Sequence, residues 1–257
     1  MSWPANCPEC LVIALVGVVD VKKSVETAVL LAAGRGSRLR PYTDSTPKPL
    51  LPYQGRPTLD YVLDSLLRAE VRDVVLITHH LAEQIESYAA SRSESHDQRV
   101  RCVAQDTLAG TADALRCARD ALPALLDGPL LVSATDYIVD MDFYPALLRA
   151  HREHDGGLTV SLKSLSEDEL CARSSVRFHE NQAIAQIVEK PLPGTAPSSI
   201  GANLCFVLPP EILTLLDEVK PSARGEREVQ AAINQWLASG GVGFGLLQDA
   251  PPEWLSP

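Results

Sequence analysis

Three apolar runs without polar alternation constrain the fold of this 257-residue chain more than any other feature. They fall at residues 28–33, 74–78 and 130–134. A strand with one solvated face alternates apolar and polar side chains, so an unbroken run has to be covered on both faces. Stretches of helical period lie between the runs. Leu59, Val62, Leu63, Leu66 and Leu67 fall at i, i+3, i+4, i+7 and i+8, which is one face of a helix. Helices are also expected over 81–91 and 110–122, with a short strand over 100–104. Strands and helices alternating at this spacing imply βαβ units. The fold class is therefore α/β, a Rossmann-like, mixed, mostly parallel sheet flanked by helices.

Beyond residue 136 the alternation loosens. A helix over 143–154 and strands over 158–162, 200–208 and 242–247 are expected. Residues 175–179 and 183–188 flank the turn-like Glu180-Asn181-Gln182, which predicts an antiparallel hairpin. Further helices are expected over 211–219 and 227–238. No linker divides the chain. Residues 21–257 read as a single domain with two sub-regions, 21–140 and 141–257. Residues 1–20 read as an N-terminal appendage, either upstream sequence or an added edge strand.

The first run ends at Gly34 and Gly36, which can take positive φ and let main-chain amides approach a ligand closely. A basic loop follows. Between Gly34 and Arg56 stand Arg35, Arg38, Arg40, Lys48 and Arg56 against the single acid Asp44. Glycine amides beside convergent cations suit a polyphosphate. The loop lacks the Lys-Ser/Thr ending of a P-loop, and a plain strand-to-loop turn reads equally well on these residues alone. The whole chain carries a formal charge of −10, which argues against a general binder of nucleic acid or membrane surfaces. A basic cluster in an acidic protein is the more specific signal. In open α/β sheets ligands sit outside the carboxyl ends of the strands. The glycine loop, the 105–110 segment and Asp136 all follow such ends and are expected to share one crevice.

Six scattered cysteines in a chain of this size fit a reducing, cytoplasmic setting. Cys7-Pro-Glu-Cys10 lacks the further ligands of a structural zinc site. The apolar run 11–19 is too short to span a bilayer, and no basic segment precedes it as in a signal peptide. His151 and His154 read as part of a solvated helix face rather than a metal pair.

Leu31-Ala32-Ala33-Gly34-Arg35-Gly36-Ser37-Arg38-Leu39-Arg40-Pro41, continued by Pro47-Lys48-Pro49-Leu50-Leu51-Pro52, resembles the signature of the sugar-1-phosphate nucleotidylyltransferases. The glucose-1-phosphate thymidylyltransferase and uridylyltransferase group is the nearest type. Gly55-Arg56-Pro57, Gln105, Gly110-Thr111-Ala112, Asp136 and Glu189-Lys190-Pro191 continue the resemblance in order, over roughly residues 28–247. It implies the nucleotide-diphospho-sugar transferase type of fold. It also implies transfer of a nucleotidyl group from an NTP, dTTP or UTP, to a sugar 1-phosphate, releasing pyrophosphate. Leu31, Ala33, Gly34 and Gly36 would surround the triphosphate, and Arg38 and Lys48 would be the catalytic cations. Gln105 and Gly110 would receive a pyrimidine base, Asp136 would hold Mg²⁺, and Glu189 and Lys190 would bind the sugar phosphate.

Two positions depart from the family pattern. A second metal-binding Asp is expected two residues after a late Trp, but Ser256 follows Trp254 at that spacing; Asp249 or Glu253 are the substitutes at hand. A glycine expected in the strand lining the sugar pocket is matched by Gly201 or by Asn203. The resemblance leaves two other readings: a cytidylyltransferase acting on a phosphorylated alcohol such as phosphocholine, and a catalytically silent, regulatory nucleotide-binding relative. Late strand edges permit a homo-oligomer without requiring one.

Overall fold

The computed structural model describes residues 24–154, 156–248 and 253–254. The appendage, the CxxC pair, Asp249 and Ser256 lie outside the described residues. The central sheet has seven strands: β1 Thr27–Leu31, β2 Asp73–Thr78, β3 Arg99–Ala104, β4 Leu130–Ala134, β5 Leu158–Ser164, β6 Ile200–Leu208 and β7 Gly243–Leu247. Their order is β7-β5-β6-β4-β1-β2-β3. Every neighbouring pair is parallel except those made by β6, which runs antiparallel to β4 and β5.

The unbroken apolar runs are explained by two separate cores. Val29, Val75, Ile77, Leu130 and Val132 point to one face, where they meet Leu115 of helix α3 (Thr111–Ala121), Ile212 of α6 (Glu211–Thr214) and Ile233 of α7 (Val229–Ala238). Ala28, Leu30, Val74, Leu76 and Leu131 point to the other face. There they meet Leu63 of α1 (Thr58–Arg68), Ile85 of α2 (Ala82–Ser95) and Leu147 of α4 (Phe143–Glu153). Consecutive residues thus serve opposite layers, as the period of two requires.

Three expectations are corrected in detail. The strand expected over 28–33 ends at Leu31, which frees Ala32 and Ala33 to turn along the sheet's rim. The helix expected over 211–219 is broken into α6 and a 3-10 turn, Leu216–Glu218. A short helix not expected, α5 (Glu167–Ala172), follows β5. Its signal is Ser166-Glu167-Asp168-Glu169, a capping box, in which the Ser166 amide donates to Glu169 Oε2 at 3.0 Å. The expected hairpin forms from Ser174–Phe178 and Ile184–Glu189. It is pinned to α7 by Asn234, whose Oδ1 accepts from the Ile187 amide and whose Nδ2 donates to the Ile187 carbonyl, both at 2.8 Å.

Register places the chemistry. Leu31 lies opposite Ile77 on one side and Ala134 on the other, so three strands end level. The segments after β1 and β4 therefore leave the sheet side by side. Trp254 pairs with Tyr137, immediately after Asp136, which brings the late Trp of the family pattern to the same end of the sheet.

Candidate active site

A cleft of about 790 Å³ opens over these strand ends. One side is the glycine loop, folded as three 3-10 turns, Ser37–Leu39, Tyr42–Asp44 and Lys48–Leu50. Such tight turns leave many main-chain groups without helical partners, and side chains from the surrounding layers hold them. Thr43 Oγ1 donates to the Gly36 carbonyl at 2.9 Å, and His80 Nε2 contacts the Thr43 carbonyl at 2.9 Å. Thr58 Oγ1 donates to the Pro49 carbonyl at 2.9 Å, and Gln84 Nε2 to the Ser45 carbonyl at 2.9 Å.

The two glycines act differently. Gly36 has φ +62°, and a Cβ there would meet Thr43 Cγ2 at 2.8 Å. Gly34 faces the cleft, and a Cβ there would meet nothing within 4 Å. Gly36 is needed for the turn, whereas Gly34 keeps space open for a close approach. The expectation that both would use positive φ is corrected accordingly.

Charge follows the same layout. Lys48 and Asp136 form an ion pair across the cleft floor, with side chains only 16% and 15% exposed. Thr135 Oγ1 donates to the Leu31 carbonyl at 3.0 Å and ties the two strand ends below them. Arg38 is exposed at the cleft and has no ion-pair partner among the described residues. At the far end, Glu189 and Lys190 leave the hairpin and line the cleft together with Arg173, Ser174, Glu228 and Gln230. Burial pushes the Glu189 carboxyl up to about 7; Glu228 adds to the rise, while Arg224 and Lys190 oppose it.

The family model described as Nucleotidyl transferase matches residues 27–250. The chain belongs to that family. Among similar proteins, the low-salt glycan biosynthesis nucleotidyltransferase of Haloferax volcanii is 27% identical over 82% of this chain and 57% of its own. The mannose-1-phosphate guanylyltransferase catalytic subunit beta of Drosophila pseudoobscura pseudoobscura is 31% identical over 89% of this chain and 60% of its own. The chain thus spans under two thirds of the length of these relatives. A solved UDP-glucose pyrophosphorylase complexed with UDP-glucose shares the fold, with a TM-score of 0.76 at 19% identity, over 86% of this chain and 90% of that one.

Nine of the twelve residues singled out in the sequence line the cleft: Leu31, Ala33, Gly34, Gly36, Arg38, Lys48, Asp136, Glu189 and Lys190. Gln105, Gly110 and Asn203 do not. Gln105 is buried, and its Nε2 donates to the Gly110 carbonyl at 3.1 Å and to Asp113 Oδ2 at 3.0 Å. Gly110 does take φ +112°, but the space its missing side chain leaves is filled by the Arg227 main chain, 2.4 Å from where a Cβ would stand. The Ala112 amide donates to the Arg227 carbonyl and the Arg227 amide to the Ala109 carbonyl, at 2.9 and 2.7 Å. Of the three strand-end segments expected to share the crevice, those after β1 and β4 line the cleft, and the one after β3 reaches its wall at Thr111, with Ala114 of α3 beside it.

Asn203 is corrected for a simpler reason. Ala202 and Leu204 of β6 line the cleft, so the residue between them points to the opposite side of the sheet. Its Nδ2 donates to Ser161 Oγ at 2.9 Å and it is buried. Gly201, the other residue considered, packs under Leu165 and the Ser174 carbonyl. Sequence reading missed Arg173, Ser174, Glu228 and Gln230. Only tertiary packing brings them to the cleft, although the capping box at Ser166 marks the helix that leads into Arg173.

Among the described residues no three His, Cys, Asp or Glu cluster to cage a metal ion. At the glycine-loop end Asp136 is the carboxylate beside Lys48, while Asp168, Glu169, Glu189 and Glu228 line the cleft elsewhere. That donor set fits Mg²⁺, which takes one or two carboxylates and completes its shell with water and substrate phosphates. No helix among the described residues is long and apolar enough to cross a membrane.

Proposed function

We propose that this chain transfers a nucleotidyl group from an NTP to a sugar 1-phosphate, giving an NDP-sugar and pyrophosphate. The observation that carries the reading is one cleft with two differently built ends. An amide-rich, cationic end holds Gly34, Arg38, Lys48 and Asp136, and a second end holds Glu189 and Lys190. The similar proteins named above support the class of reaction. They differ in base, so dTTP or UTP rests on the resemblance of the opening signature.

The chemistry asks little covalent help of the protein. An anionic oxygen of the sugar 1-phosphate attacks the α-phosphorus in line, a new P–O bond forms, and the bond to pyrophosphate breaks. The nucleophile is already ionised, so no general base is needed. The side chains orient the two phosphates and neutralise charge on the α-phosphate and the leaving pyrophosphate. Arg38 and Lys48 take the second task. Lys190 pairs with the sugar's phosphate, and Glu189, when ionised, accepts hydrogen bonds from ring hydroxyls. Asp136 would hold Mg²⁺, which would supply further charge neutralisation when bound.

Pyrophosphate release is the test. Purified protein with Mg²⁺, UTP, dTTP, GTP or CTP, and a panel of sugar 1-phosphates is expected to release it with at least one pair. Nucleotide binding without release for any pair would overturn the transfer reading and leave a regulatory one.

A further inference from the structure

Buried polar atoms are almost always hydrogen-bonded, so each exception marks a place where something else supplies the partner. Gln230, in the first turn of α7, is such an exception. It lines the cleft and is only 8% exposed. Its Nε2 donates to Glu189 Oε2 at 3.1 Å, while its Oε1 is buried with no hydrogen-bond partner among the described residues. Beside an ionised Glu189 the amide keeps this orientation, since turned over it would aim a carbonyl oxygen at a carboxylate oxygen. In the ionised site the unmatched atom is an acceptor.

The nearby Arg224 guanidinium is engaged by Glu228 at 2.5 Å and stands 3.9 Å from the other oxygen of Glu189. Glu189, Glu228 and the Gln230 carbonyl oxygen bring three acceptors to this end of the cleft, where Arg173 and Lys190 supply the cations. A sugar ring, which presents several O–H groups in fixed directions, is the complementary ligand.

We propose that Gln230 is a specificity-determining residue of the sugar end. Its Oε1 accepts a hydrogen bond from one donor-bearing ring substituent, a hydroxyl or the N–H of an acylamino group. This inference rests on the nucleotidyl-transfer reading and deepens it. A substrate lacking the donor leaves the buried acceptor unpaired. For one neutral group the discrimination is about tenfold to a hundredfold.

The test compares the accepted sugar 1-phosphate with its monodeoxy analogues, in wild type and in Gln230→Met and Gln230→Ala. Wild type is expected to disfavour one deoxy position by about tenfold or more in kcat/KM. Both variants are expected to lose discrimination at that position, with their losses on the parent substrate falling on its KM. A deoxy pattern that is flat in wild type, or unchanged in whichever variant folds, overturns the proposal. Calorimetric binding of the same sugar phosphates keeps the two readings apart. Deoxy-selective binding that depends on Gln230, without pyrophosphate release, supports this role while the transfer reading falls. No binding of any sugar phosphate overturns both.

Discussion

The two ends of the cleft are built by opposite means. At the glycine-loop end almost every group comes from one continuous stretch, residues 31–52, with Asp136 added by the strand next door. Its geometry is set by main chain, by three 3-10 turns, and by buried threonines that bond its carbonyls. At the sugar end the groups come from α5, the hairpin, β6 and α7, and they meet only because those elements pack together. The first end is preorganised for charge. The second is assembled from side chains, carries a carboxyl pushed up to about 7, and leaves an acceptor unmatched. A loop that grips phosphate needs little that is particular to one substrate, whereas a pocket that reads a sugar has to be particular.

Replacing the charges at the phosphate end is the strongest way to break this contrast. Asp136→Asn is expected to lower kcat by about a thousandfold or more with the protein still folded, although Lys48 loses its ion-pair partner. Turnover near wild type would remove Asp136 from the reaction. Arg38→Ala follows, with a loss of about a hundredfold in kcat/KM. Because Arg38 is exposed and without an ion-pair partner among the described residues, its removal is expected to leave stability within about 0.5 kcal/mol. A large fall in midpoint would show a structural role instead.

The glycines separate shape from chemistry within that same end. Gly36→Ala is expected to cost about 1–2 kcal/mol in denaturant unfolding, since φ +62° is strained for a residue with a Cβ and Thr43 lies in the way. Gly34→Ala meets nothing and is expected to unfold like wild type, yet to raise the KM for the NTP about tenfold through lost close approach. Equal effects of the two substitutions would contradict the division drawn between them.

The smallest effect expected is at the sugar end and depends on pH. Ionised Glu189 accepts from ring hydroxyls, so the KM for the sugar 1-phosphate is expected to rise severalfold as the pH falls through about 7. Glu189→Gln is expected to remove that segment of the profile. Stability moves the other way. The folded value lies above the ordinary 4.5, so the favourable contribution of protonated Glu189 is complete below 4.5 and lost as the pH rises through about 7. The Gln variant should therefore gain on wild type at about pH 8, by about 1–3 kcal/mol, and not at about pH 4. Parallel curves for the two proteins would mean that Glu189 titrates as an ordinary exposed acid.

What can be read in advance follows the same division. The apolar runs, the helical period of 59–67 and the glycine loop are local facts, each fixed by a few neighbouring residues and by the demand that an unbroken apolar strand be covered twice. They determined the α/β class and the parallel strands, and they bring residues from Leu31 to Lys48 to one side of the cleft. The sugar end is legible only as far as Glu189 and Lys190, which share a short motif. Asn203 falls on the wrong side because one residue's shift along a strand reverses the face, and sequence does not state which face meets the cleft. Gln105 and Gly110 carry no local sign that Gln105 will bond Gly110 and Asp113, or that Arg227, more than a hundred residues later, will fill the space beside Gly110. Gln230 carries no local signal at all. Local sequence decides what a strand or a turn has to be; only the packing of distant elements decides which of their side chains face the same empty space.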